Sequence, residues 1–111
     1  AAAYFKKQKR KLATSFGGGP EFFTYNFLKR HGIAANEVEI LSQQPQDMPA
    51  ALVNGSVDAI SIFDPFAFIA EKQMGDKGVT FADPDIYSEL YVITVRQEML
   101  DQNRATVDGL L

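Results

Sequence analysis

The run Ala50-Ala51-Leu52-Val53-Asn54-Gly55-Ser56-Val57-Asp58-Ala59-Ile60-Ser61-Ile62-Phe63-Asp64-Pro65-Phe66 constrains the fold more than any other part of this 111-residue chain. Asn54 and Gly55 can take the positive φ that stops a helix. Ser56 to Phe63 then reads as a buried strand. Asp64 and Pro65 open another helix, with Asp64 as a cap and Pro65 in the first turn. Phe63 and Asp64 therefore fall where a strand hands over to a helix, and open α/β sheets bind their ligands along that edge.

The same alternation runs through the chain. Ala1 to Arg10 is rich in helix formers and ends in charge, as in a helical tail or linker. Lys11 to Phe16 suits a strand, Gly17 to Pro20 a tight turn, and Glu21 to Arg30 a helix that Gly32 closes as its C′ residue. Val38 to Leu41 is a second strand. Gln43 to Pro49 is a turn with Asp47 as N-cap, and Met48 to Asn54 a second helix. After the strand to Phe63 come a helix over Pro65 to Met74, a turn over Gly75 to Gly78, and strands at Val79-Thr80-Phe81 and Leu90 to Val95. A last helix starts near Gln97. Strands alternating with helices at this spacing imply βαβ units, hence a three-layer α/β domain with an open, mainly parallel sheet. Right-handed crossovers place the junctions Gly17 to Pro20, Gln44 to Pro49 and Phe63 to Pro65 on one edge of that sheet.

Composition narrows the classes. The chain is long enough for one core and too short for two α/β lobes with a cleft between them. No apolar run approaches the roughly 20 residues that span a bilayer. The absence of cysteine excludes a disulfide framework and a thiolate metal site without fixing the compartment. Lys6, Lys7, Lys9, Arg10 and Lys11 are five of the eleven basic residues, and the rest of the chain is acidic, which argues against a nucleic-acid face.

The turns limit the chemistry. Gly17-Gly18-Gly19-Pro20 ahead of a helix lets backbone N–H groups approach an anion or a polar oxygen at the positive end of the helix dipole. It matches neither a dinucleotide fingerprint nor a phosphate loop ending in Lys-Ser/Thr. Glu21, in the first helical turn, either complements the dipole or contributes to the site. Asp64 either caps its helix or accepts a hydrogen bond from a ligand. Phe22, Phe23, Tyr25 and Phe27 on one helix, and Phe66 and Phe68 on another, read mainly as core, whereas Phe63 at the strand tip should line a pocket. His31 stands alone near a helix end, so no catalytic triad and no metal site can be built around it. No cofactor is called for. A binding lobe fits these residues better than an enzyme.

Gly17 to Phe23, Phe27 to Ile33, Val38-Glu39-Ile40, Asp47 to Leu52 and Gly55 to Ala59 together resemble the nitrate/sulfonate/taurine-type solute-binding proteins of ABC transporters, a family that includes the thiamine-pyrimidine synthesis-like proteins. The likeness covers Lys11 to Val95 and is most specific from Asp47 to Pro65. It implies one lobe, the second, of a type II periplasmic binding protein fold, with residues 1–10 as a helical linker or tail, 11–95 as the lobe, and 96–111 as a helix returning toward a first lobe.

It also implies a small polar or anionic solute held between two lobes, permease subunits as partners, and a periplasmic or extracellular location with a lipoprotein anchor in a longer form. The candidate ligand-binding set is Gly17, Gly18, Gly19, Glu21, Phe63, Asp64 and Pro65. Here Phe63-Asp64-Pro65 stands where many members have Trp-Glu-Pro, and Gly18 and Gly19 stand where members often have hydroxyl side chains, so backbone donors would have to serve. Apolar surface facing the absent lobe offers a route to self-association. A ligand-sensing module of a receptor or regulator would use the same lobe. A pyrimidine-synthesis enzyme would need a histidine at the edge, and His31 lies outside it.

Overall fold

The structure, a computed structural model, describes residues 2–110. Its centre is strand β1 (Arg10–Thr14), flanked by β2 (Val38–Ser42) and β3 (Ala59–Ser61) in the order β2-β1-β3. Both pairings are parallel: Leu12 lies opposite Ile40 and Ala59, and Ala13 opposite Leu41 and Ile60.

Successive residues of a strand point to opposite faces, and Leu12 and Ala13 separate two cores. Leu12 packs with Phe5 of α1 (Ala2–Lys7), with Phe27 and Leu28 of α2 (Gly19–Arg30), and with Ile33 and Val38. Ala13 packs with Met48 and Ala51 of α3 (Met48–Asn54) and with Val57. Helix α4 (Phe66–Met74) lies against α3. The result is a three-layer α/β domain with an all-parallel open sheet, as one lobe of a periplasmic binding protein fold is built.

Local chemistry sets the element ends. α2 stops at His31, whose N–H donates to the Phe27 carbonyl at 3.1 Å; Gly32 follows at φ +68, and the Ile33 N–H returns to the Leu28 carbonyl at 2.8 Å. α3 stops at Gly55, at φ +82. Positive φ is the conformation for which a Cβ is costly, so both glycines occupy the expected helix-ending position. Asp58 ties the entry of β3 to β1: its N–H donates to the Lys11 carbonyl at 2.8 Å, and its Oδ2 accepts the Lys11 N–H at 2.9 Å.

Two expected strands are not formed. Val79-Thr80-Phe81 and Leu90 to Val95 carry no regular structure and no ladder among the described residues. Apolar β-prone residues mark a segment that can pair, but not whether a partner edge lies beside it. Phe81 instead packs its ring tilted against Phe27, with centroids 5.7 Å apart. β3 is shorter than the expected Ser56 to Phe63, because its one partner, β1, ends at Thr14. Ser15 and Phe16 likewise leave β1 for the turn. The last helix is broken at Asn103 into α5 (Gln97–Gln102) and α6 (Arg104–Asp108).

The aromatic residues are less buried than their helical spacing implies. Phe27 is buried, whereas Phe22, Tyr25 and Phe68 are exposed. Each helix covers the sheet with one stripe, and a three-stranded sheet is too narrow to shelter the flanks.

Met48 is fully enclosed. Met48→Ala should lower stability by about 2–5 kcal/mol, read as an earlier urea midpoint with an unchanged slope. Val53→Ala, on the exposed side of the same helix, should stay within about 0.5 kcal/mol.

Candidate functional site

All three strand-to-helix junctions open at the carboxyl end of the sheet, and hydrogen bonds bring them together. The Gln43 N–H, past the end of β2, donates to the Thr14 carbonyl at the end of β1 at 3.1 Å. Thr14 Oγ1 donates to the Ser61 carbonyl at the end of β3 at 3.1 Å. Ser61 Oγ lies 3.5 Å from the Pro20 carbonyl in the first turn of α2. Thr14 and Thr24, both buried, fill the space beneath, with Thr24 Oγ1 donating to the Pro20 carbonyl at 2.7 Å.

At the first junction, Gly17 takes φ +86 and Gly18, the N-cap of α2, is extended at φ −154. Glu21 folds back: its Oε2 accepts the Gly17 N–H at 2.7 Å. The Phe22 N–H donates to the Gly18 carbonyl at 3.3 Å. First-turn amides have no acceptor within their own helix, and among the described residues the Gly18, Gly19 and Glu21 N–H groups find none elsewhere. Three donors at the positive end of a 12-residue helix are thus left open at this edge.

The third junction uses its carboxylate in the same way. Asp64 Oδ1 accepts the Phe68 N–H in the first turn of α4 at 3.1 Å, so Asp64 caps the helix from one residue ahead of Pro65, which occupies the N-cap position. Asp64-Pro65 is a cis peptide. Phe63 is exposed at the strand tip and meets Phe66 edge-on, centroids 5.9 Å apart. Gln43, at the second junction, carries an enclosed side-chain oxygen that has no donor among the described residues.

The structure thus gathers Gly17, Gly18, Gly19, Glu21, Phe63, Asp64 and Pro65 along one edge. It gives Glu21 and Asp64 backbone partners. His31 is at the far end of α2, exposed, with its ring tilted against Phe27 at a centroid distance of 4.4 Å. Two residues at the edge were not singled out in the sequence: Gln43 and Tyr87. A Cβ on Gly19 would lie 2.6 Å from the Tyr87 hydroxyl oxygen, and the Tyr87 ring is 5.3 Å from that of Phe22. Tyr87 belongs to a stretch without regular structure, so no periodicity could have pointed to it; the glycine it covers was the only signal. Its stretch is anchored by the Arg30 to Asp83 ion pair at 2.8 Å. Desolvation, followed by the nearby Glu89 carboxylate, raises the Tyr87 hydroxyl above its ordinary pKa of 10.0. The neutral phenol is the docked form, so whatever this contact contributes is complete below that ordinary value and fades as the pH climbs through the raised one.

Gly19→Ala should therefore cost about 1–3 kcal/mol through overpacking against Tyr87. In a Tyr87→Ala background the same change should cost less than about 0.5 kcal/mol, a coupling that a double-mutant cycle in urea would read. Asp64→Ala should lose about 1 kcal/mol of cap stability in the same assay.

No curated protein and no solved structure gives a match to the chain. The model of the NMT1-like family matches residues 1–111, its whole length. The chain belongs to the NMT1-like family, a family of ABC-transporter solute-binding proteins of the nitrate/sulfonate/taurine type.

Proposed function

We propose that this chain supplies one wall of an interlobe cleft that captures a small polar or anionic solute, a sulfonate, nitrate or a pyrimidine, for delivery to permease subunits. The observation that carries the reading is the set of open N–H groups of Gly18, Gly19 and Glu21 at the start of α2. Donors held by a helix terminus suit an anionic or carbonyl-like oxygen. Phe63 and Phe22 supply apolar flanks.

The proposed role involves no chemical conversion. Glu21 and Asp64 hold backbone N–H groups at 2.7 and 3.1 Å, which suits them to shaping the cleft rather than to proton transfer. Their part in ligand binding is then indirect: Glu21 keeps Gly17 in place, and Asp64 fixes the start of α4 next to Phe63. Capture would follow from hinge closure onto a second lobe, the ligand favouring the closed state through the contacts it gains there. The site of action is the periplasm or cell exterior, with a lipid anchor in the full-length form. No helix among the described residues is long and apolar enough to cross a membrane.

Gly18 is the residue to test, because its backbone is extended and a Cβ there would meet only Pro20 Cδ, at 3.9 Å. A side chain is therefore tolerated by the fold while it covers the donors. Gly18→Val should weaken binding of taurine, nitrate or hydroxymethylpyrimidine, whichever the wild type binds by calorimetry, at least tenfold, with the melting temperature nearly unchanged. Equal affinity in the variant would remove this turn from the site. The single lobe should bind its solute only weakly, with Kd on the order of millimolar, because a closing cleft draws its affinity from both walls.

A further inference from the structure

A single buried residue touches all three strand-to-helix junctions. Thr14 ends the central strand β1 and is fully enclosed. Its carbonyl accepts the Gln43 N–H of the second junction at 3.1 Å. Its Oγ1 donates to the Ser61 carbonyl at 3.1 Å, just ahead of Phe63 in the third junction. Thr14 lies on the same face of β1 as Leu12, the face that α2 covers. There its Oγ1 is 3.4 Å from Thr24 Oγ1, and Thr24 in turn donates to the Pro20 carbonyl at 2.7 Å, within the first turn that carries the open donors.

Proton counting shows what the hydroxyl of Thr14 does. Thr14 and Thr24 carry one hydroxyl proton each. That of Thr24 is directed to Pro20. That of Thr14 has two acceptors in reach, the Ser61 carbonyl on β3 and Thr24 Oγ1 on α2. The path from Pro20 through Thr24 to Ser61 therefore passes through one proton, and the contact of Ser61 Oγ with the Pro20 carbonyl, at 3.5 Å, closes it into a ring. Burying a hydroxyl costs free energy unless it is bonded, and a bonded one returns only a modest net gain. Valine has the same branched shape and avoids the cost. What valine cannot supply is direction, because a hydrogen bond fixes distance and angle more narrowly than packed methyl groups do.

We propose that Thr14 is the positioning residue of the binding edge: from beneath, and without touching the solute, its hydroxyl sets how the open Gly18 and Gly19 donors of α2 stand relative to Phe63 at the tip of β3. Binding groups work when a supporting shell holds them to within about 0.5 Å, and Thr14 is that support for two junctions at once. The effect on affinity rests on the ligand reading above, whereas the coupling of the two junctions stands without it.

Two readouts test this. The first is calorimetric titration of the protein with taurine, nitrate and hydroxymethylpyrimidine. Thr14→Ser loses a buried methyl and keeps the hydroxyl; Thr14→Val keeps the branched shape and loses the donor. Thr14→Ser should melt earlier than wild type yet bind within about twofold of it, while Thr14→Val should bind about five- to tenfold more weakly, the factor that one hydrogen bond is worth. Full affinity in Thr14→Val, or an equal loss in both variants, overturns the proposal. The second readout needs no solute. In amide spectra of the unliganded protein, Thr24→Val should shift the Ser61 and Phe63 signals, and in the Thr14→Val background, or in Thr14→Ala if that variant does not fold, the same change should leave them in place. Signals that ignore Thr24→Val, or that respond equally in both backgrounds, overturn the proposal. A wild type that binds none of the three solutes removes the ligand reading instead, and the amide spectra still decide the coupling.

Discussion

Everything in this lobe depends on β1 lying at the centre of a parallel sheet, with Leu12 on one face and Ala13 on the other. That two-residue alternation holds α1 and α2 against one side and α3 against the other. It also determines where function can be placed. With every strand pointing the same way, every strand-to-helix junction opens at one end, and residues far apart in sequence become neighbours without any direct signal between them. The Thr14 hydroxyl shows how closely the ends are joined, since it bridges β1 to the Ser61 carbonyl of β3 from a fully buried position.

The two carboxylates at that edge illustrate why a residue's type does not decide its work. Glu21 and Asp64 are each held by a backbone N–H group, one at Gly17 and one at Phe68. Holding Gly17 shapes the turn so that the next donors, at Gly18 and Gly19, stay open. In the proposed site an acidic side chain would thereby help to present donors suited to an anion, an arrangement that would be contradictory if the carboxylate itself faced the ligand. The electrostatics are those of the helix terminus and the open amides.

Tyr87 and the stretch around it connect the site to the remainder of the chain. The Arg30 to Asp83 ion pair and the tilted contact of Phe81 with Phe27 lay this stretch along α2, and Tyr87 ends over Gly19. A residue in irregular backbone is therefore placed by side-chain contacts rather than by a regular element.

The sequence by itself determined the α/β alternation, the parallel sense of the sheet, the glycines that stop α2 and α3, and the clustering of Gly17 to Gly19 with Phe63 to Pro65 on one edge. These follow from local preferences: positive φ at Gly32 and Gly55, and periodicities of strand and helix that a window of residues carries within itself. The resemblance to the family was likewise readable from Asp47 to Pro65. Tertiary structure alone decided what those residues touch. It settled whether Asp64 caps, where Glu21 turns, that Gln43 and Tyr87 belong at the edge, and that Val79 to Phe81 and Leu90 to Val95 have no ladder partner among the described residues. Pairing and contact are properties of two segments brought together in space, and a strand's propensity holds no information about whether an edge lies beside it.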